Sequence, residues 1–288
     1  MLVPLRILEV SIPHASSTGT FCDAMHLPEQ LVRDGFNTVF VLPWMKVNRE
    51  LSKSPYAVVN HLEVKEMLGT LSDVVAWIKS CHDAGLKIIL DLPLNHTSPN
   101  HRWADNSDWY SRTEFGSMHP PQGTGWNDVV QLNHSREEVK TACIEVMSFW
   151  LNLGIDGFRL DAASYMPDAF VESIISRVRQ MHNSVLFWGD GESYAGTKSC
   201  FEAWFHHEAF YLAKHDLNAW KNMVASHKGN GIFYLTNHDT LCKGISPELE
   251  WQGAYKEMRK ILLAGGKHVL QSWPYWRDPL SSYSFLLK

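Results

Sequence analysis

Arg159 and Asp161 stand two residues apart in GIDGFRLDAA, residues 154–163. In an extended strand alternate side chains share a face, so Phe158 and Leu160 point one way and Arg159 and Asp161 the other. A guanidinium beside a carboxylate keeps it ionised, as a nucleophile requires. A structural ion pair at a strand end accounts for the same residues equally well. Two more acids, Asp190 and Glu192, lie in FWGDGES, residues 187–193. His96 ends DLPLNH, residues 91–96, and His238 and Asp239 lie in TNHDT, residues 236–240. Singly these are weak signals, because loop histidines and Asn–Asp turns are common.

The elements that must position these groups alternate. Residues 6–12 alternate as a strand does, 23–34 read as a helix stopped by Gly35, and 37–42 (NTVFVL) as a buried strand. Helix 70–84 stops at Gly85 and is followed by strand 87–91 (KIILD). Helix 135–153 stops at Gly154, and strand 155–160, helix 167–182 and strand 185–189 follow. Strand 201–205, a long helix 207–226, strand 231–236, helix 248–264 and strand 267–271 complete the series. Apolar, β-branched runs between glycine-terminated helices predict parallel βα units. The whole series predicts an α/β fold, a closed (β/α)8 TIM barrel, with functional groups at the C-terminal ends of its strands. His96 then follows the third strand, Asp161 the fourth, Asp190 and Glu192 the fifth, and His238 and Asp239 the seventh.

Composition excludes other classes. The 288 residues are 45% hydrophobic, enough for one large core, and the net charge is -5 with no basic block. Nucleic acid is therefore a poor partner. The 5 cysteines are scattered without CxxC spacing, which predicts free thiols rather than a zinc site or disulfide framework. The 12 tryptophans suit stacking on a ring-shaped ligand as well as packing; Trp44, Trp103, Trp109, Trp126 and Trp273 are the candidates. Residues 1–20 show no leader pattern, and no apolar run is long enough for a bilayer. The expectation is a cytoplasmic chain without a membrane partner, secretion staying open should a leader precede it.

GFRLDAA resembles the second signature region of the α-amylase family of glycoside hydrolases, DLPLNH its first and TNHDT its fourth. The resemblance implies that Asp161 is the nucleophile and that Arg159 positions it. It implies that His96 hydrogen-bonds a sugar hydroxyl, that Asp239 binds two hydroxyls and distorts the ring, and that His238 supports the transition state. Tyr56, in SPYAV, resembles a tyrosine that stacks beneath the sugar. The family's general acid, usually the glutamate of a Gly-Glu pair, stands after the fifth strand. Here there are two Gly-acid pairs, Gly189–Asp190 and Gly191–Glu192. Ungapped alignment points to Asp190; the longer arm of a glutamate and the family's preference point to Glu192. The implied activity is hydrolysis of α-glucosidic bonds, most often α-1,4, in starch-like glucans or maltooligosaccharides, with retention. Retention needs two carboxyls about 5–5.5 Å apart. Transglycosylation by the same site, or a non-catalytic sugar-binding or partner barrel, are the alternatives.

Residues 97–133 are too many for an ordinary βα connection. The family carries a subdomain here, usually longer, so a reduced inserted loop is expected. By the same resemblance Asn95 helps hold that loop, often through calcium. Gln131, in VVQLN, stands where the family often has an aspartate ligand, and a neutral amide binds calcium less strongly. Asp128 is the residue that could compensate. No cofactor is required on this reading, and calcium stays open. Residues 280–288 resemble the start of an eighth helix, and no residues remain for the family's β-sandwich domain. Residues 1–288 are thus expected to form one catalytic barrel, minimal or a fragment.

Overall fold

Short apolar runs rich in β-branched and aromatic residues become strands because their side chains pack well on both faces of a covered sheet. In the computed structural model, which describes residues 4–190, 200–241 and 254–272, these runs are β1 (Arg6–Val10), β2 (Thr38–Val41), β3 (Lys87–Pro93), β4 (Gly157–Asp161), β5 (Leu186–Gly189), β6 (Ala203–Phe205), β7 (Gly231–Tyr234) and β8 (His268–Ser272). Each pairs in parallel with its neighbours in sequence, and β8 pairs with β1, which closes the barrel. The helices between them are α1 (Leu27–Arg33), α2 (Leu71–Asp83), α3 (Glu137–Asn152), α4 (Asp168–Met181), α5 (His207–His215), α6 (Leu217–Ser226) and α7 (Tyr255–Ala264).

The core has two layers. Phe40 of β2 packs its ring 6.2 Å from Trp188 of β5 and 5.6 Å from Phe205 of β6. Those strands are not β2's neighbours, so the rings meet in the barrel lumen. Outside the barrel, Phe21, Trp44, Trp77 and Trp150 interlock edge-to-face beneath the helices. Gly157 is required by β5: a Cβ there would stand 2.1 Å from the Leu186 carbonyl oxygen. Gly154, at φ 106, ends α3 as its position after the helix predicts.

Three elements depart from the sequence reading. The helix expected over 207–226 is two, α5 and α6, because the Asp216 carboxylate accepts the Asn218 and Ala219 N–H groups and starts a new helix. The helix expected over 23–34 opens as a 3-10 turn, Asp23–His26, before α1. An antiparallel hairpin, Met45–Val47 with Val58–Val64, occupies the segment between β2 and α2, for which the sequence reading has no counterpart. Residues 242–253 and 273–288 lie outside the described residues, and with them Trp273, the expected start of helix 248–264 and the expected eighth helix. Among the described residues no helix is long and apolar enough to cross a membrane.

The inserted loop leaves and returns through a two-residue ladder, His96–Thr97 against Val130–Gln131. Tyr110 and Leu132 bury its base against the barrel's own core. A second tie is a chain of neutral imidazoles. The Trp103 N–H donates to His101 Nδ1 at 3.0 Å, so the proton of His101 is on Nε2. Nε2 lies 3.0 Å from His61 Nδ1, and His61 Nε2 donates to the Pro93 carbonyl at 2.9 Å. The loop is thus hydrogen-bonded to the end of β3.

Candidate active site

The strand ends of β3, β4 and β5 deliver one buried cluster. Arg159, 2% exposed, bonds Asp91 Oδ1 and Asp161 Oδ1 through NH1, each at 2.8 Å, and Asp190 Oδ1 through NH2 at 2.6 Å. Its guanidinium carbon lies 5.3 Å from the centre of the Phe205 ring, which floors the site from the lumen. A buried guanidinium needs such compensation, since each unpaired buried charge costs several kcal/mol. Asp91 also accepts the Tyr56 hydroxyl at 2.8 Å. Asp190 is engaged on both oxygens: Oδ1 accepts from His207 Nε2 at 3.2 Å, and Oδ2 accepts the Ala162 N–H at 3.2 Å. Ala162 presents that N–H by adopting a left-handed φ of 49, a conformation costing on the order of 1–3 kcal/mol for a non-glycine residue. His207 Nδ1 in turn meets the Tyr234 hydroxyl.

Sharing one cation among three carboxylates changes the expected charge state of Asp161. Burial pushes its carboxyl up, Arg159 offsets part of that, and the charges of Asp91 and Asp190 push it further, to about 7. Arg159 still favours the ionised form of Asp161, but it is shared with Asp91 and Asp190, and burial outweighs its pull. Burial also pushes Asp190 up, but Arg159 and His207 overcome it and hold this carboxyl well below the usual carboxylate range. Asp91 is raised by burial against the pull of Arg159.

A second polar chain comes from β1, β7 and β8. His238 Nδ1 donates to Glu9 Oε1 at 2.7 Å, and its Nε2 lies 3.5 Å from Asp239 Oδ1. The Ser272 hydroxyl lies 2.6 Å from Glu9 Oε2. Burial pulls His238 down, yet Asp239 and Glu9 outweigh it and lift this imidazole to about 10, so it is charged at neutral pH. His96 behaves oppositely: buried, with burial dominant, it falls to about 4 and is neutral.

These groups line a cleft of ≈ 220 Å³ at the C-terminal mouth of the barrel, with Tyr56, His96, Trp126, Arg159, Asp161 and Asp190 on its walls, joined by His238 and Asp239 from β7's end. Six of the seven residues singled out in the sequence for catalysis or binding thus converge, Tyr56, His96, Arg159, Asp161, His238 and Asp239; Glu192 lies outside the described residues. Of the candidate tryptophans among the described residues, Trp126 alone lines the cleft. Trp44 is wholly buried, Trp103 packs against the His61–His101 pair, and Trp109 packs against Trp103.

Asn95 does not offer calcium a free oxygen. Gln131 Nε2 donates to Asn95 Oδ1 and to the Asn95 carbonyl, both at 2.9 Å, with the Leu132 carbonyl at 3.2 Å. Three oxygen acceptors around one nitrogen set the amide's orientation and put its N–H groups where a cation would stand. Asp128 does not compensate, because it accepts the Ser52 hydroxyl and faces the cleft instead. Among the described residues no group of three or more His, Cys, Asp or Glu side chains is placed to hold a metal. As folded, the Asn95 oxygens take their hydrogen bonds from Gln131.

Sequence reasoning gave no role to Glu9, Asp91, His207 or Tyr234. Glu9 left a signal: it is the one charged residue in the apolar C-terminal half of RILEV, at a strand end. His207 and Tyr234 left none, since their contact joins β6's end to β7 across the fold.

The fold and site together define a closed βα barrel with a carboxylate–arginine cluster at its C-terminal mouth. Residues 31–129 and 123–190 match the family described as "Alpha amylase, catalytic domain", which covers more than half of the chain. The chain belongs to that family. It is 27% identical over 187 residues to a trehalose synthase of Pimelobacter sp. (strain R48), covering 54% of this chain and 32% of that protein. It is 34% identical over 145 residues to an alpha-glucosidase of Candida albicans, covering 38% of this chain and 25% of the relative. The matched stretches thus span about a quarter to a third of those curated relatives. An alpha-amylase from Lactobacillus plantarum superposes with a TM-score of 0.82 at 20% identity, over 94% of this chain and 71% of that one. At that identity the likeness concerns the fold alone.

Proposed function

We propose that the protein is a retaining α-glycosidase acting on α-glucosidic bonds, α-1,4 in the first instance, of starch-like glucans or maltooligosaccharides. The observation that carries this reading is the sharing of Arg159 by Asp161 and Asp190 within a cleft walled by Tyr56, His96, His238 and Asp239. Asp161 in its ionised form attacks the anomeric carbon. Glu192 protonates the leaving oxygen and then activates water. Asp190 is unsuited to that task because both of its oxygens accept hydrogen bonds and it is held ionised. Tyr56 supports the sugar ring from below, and His96, His238 and Asp239 hold its hydroxyls. Among the described residues, Glu9, Asp91, Asp161, Asp190 and Asp239 share Arg159 and His238 as their cations around the cleft. That surplus of negative charge favours an oxocarbenium-like transition state over the neutral substrate. No metal, nucleic acid or membrane enters the reading.

The test is release of reducing sugar from soluble starch and short maltooligosaccharides. Asp161→Asn should fold and be inert. Glu192→Gln should lose hydrolysis of natural glucans while retaining much more activity on a nitrophenyl glucoside, whose leaving group needs little protonation. Wild-type-like turnover by a folded Asp161→Asn protein would sink the assignment. The relative named trehalose synthase favours transglycosylation as the second reading. Product analysis with and without an acceptor sugar separates the two.

A further inference from the structure

Glu9 is an acid on an otherwise apolar face of the barrel. It pairs in register with Phe40 of β2 and Ser272 of β8, and Phe40 points into the lumen. Residues two apart on a strand share a face, so Ile7 and Glu9 form one lumen-facing row. Ile7 is wholly buried and Glu9 is 3% exposed. A carboxylate so placed is tolerated only when it is paired and hydrogen-bonded. Both of its oxygens are engaged: Oε1 accepts from His238 Nδ1 at 2.7 Å, and Oε2 accepts the Ser272 hydroxyl at 2.6 Å. Ser272 is buried and lies 3.0 Å from the Thr236 carbonyl. Glu9 is thus clamped between β8 and the end of β7 before any substrate enters.

That clamp decides what His238 can offer the cleft. An ionised carboxylate accepts hydrogen bonds and cannot donate, so Glu9 keeps one proton on Nδ1. A neutral imidazole carries one proton only and would then face the cleft with a bare Nε2. The doubly protonated ring alone presents an N–H there. Asp239 and Glu9 both favour that form against burial. The Asp239 side chain is 67% exposed and 3.5 Å from Nε2, whereas Glu9 is buried with the imidazole and bonded to it. Tyr56 places its ring 5.8 Å from that of His238. Arg159 opposes the imidazolium, and Asp91 and Asp161 are drawn towards it. We propose that Glu9 is a positioning residue for the reaction, holding His238 doubly protonated with its Nε2–H turned to the hydroxyls of the sugar at Asp161. This rests on the glycosidase reading and deepens it. Glu9 is not among the residues that line the cleft and acts through His238.

The experiment compares the wild-type protein with Glu9→Gln, which keeps the shape and an oxygen for Nδ1 but carries no charge. Histidine Cε1–H signals are followed against pH by NMR, His238 being assigned by its loss in His238→Gln. Its midpoint should lie near pH 10 in the wild type and roughly 1–3 units lower in Glu9→Gln. The protonated form exists below the midpoint and is lost as pH rises through it, so activity should fall on the alkaline side. The same displacement should therefore appear in the alkaline limb of kcat/KM for α-glucosyl fluoride. Its leaving group needs no proton donor, so Glu192 does not set that limb. Glu9→Asp, whose carboxylate is one methylene short of Nδ1, should shift the midpoint in the same direction and takes over the test should Glu9→Gln not fold. A midpoint left in place in a folded variant would overturn the proposal and leave the charge to Asp239. So would a loss of kcat/KM by one factor at every pH, the mark of a packing defect. A wild-type protein that turns over neither starch nor α-glucosyl fluoride refutes the glycosidase reading, and the midpoints then still decide whether Glu9 holds the charge of His238.

Discussion

His61 should make the protein sensitive to mild acid in a way that one substitution removes. Its imidazole is 1% exposed, donates to the Pro93 carbonyl and accepts from His101, so both nitrogens are committed to the neutral form. Burial pulls it from 6.5 to about 4, the Pro93 bond offsetting only part. Arg102 and Glu145 line the cavity of ≈ 70 Å³ beside it. The folded pKa is depressed, so the contribution is fully present above pH 6.5 and is lost as pH falls towards 4. Over that window the unfolded chain binds the proton and the folded one does not. At about 1.4 kcal/mol per pH unit, lowering the pH from 7 to 5 should cost about 2 kcal/mol through this residue alone. Asp161 acts in the opposite sense, because its raised pKa makes protonation favour the folded state as pH falls below about 7. The total profile is thus a sum, and the difference between variants isolates the histidine. His61→Gln keeps an N–H for Pro93 and cannot titrate. Urea unfolding at pH 7, 6 and 5 should find the variant less stable than wild type at pH 7, with the gap closing by about 2 kcal/mol at pH 5. A gap that stays constant across this range would refute the reasoning.

Two further outcomes follow from the site. The acid limb of kcat/KM should lie near pH 7, where Asp161 loses its charge, and Asp190→Asn should move it to lower pH by removing one neighbouring negative charge; a wild-type limb at the ordinary carboxylate value, or one that Asp190→Asn leaves in place, contradicts the shared-arginine account. A chelator should leave the melting temperature unchanged, because Gln131 Nε2 already satisfies the Asn95 oxygens; a large fall that added calcium reverses would show that an ion does bind there.

The periodicities of a buried strand and of an amphipathic helix are local, so the sequence alone determined the alternation of strands and helices and hence the barrel. Gly154 after α3 and Thr70 before α2 mark their boundaries by backbone chemistry that needs no partner: the glycine takes a positive φ, and Thr70 and Asp73 exchange a capping box. The two-residue spacing of Arg159 and Asp161 likewise placed both on the mouth-facing side of β4. Local patterns do not carry stoichiometry. That Arg159 serves three carboxylates from β3, β4 and β5 depends on strands brought together by closure, and the crowding raises the Asp161 carboxyl above its ordinary range. Glu9 on β1 reaches His238 across 229 residues of chain, and His207 reaches Asp190 from β6's end. A pairwise electrostatic interaction falls off with distance in space, and only the closed barrel, not the order of residues, sets those distances.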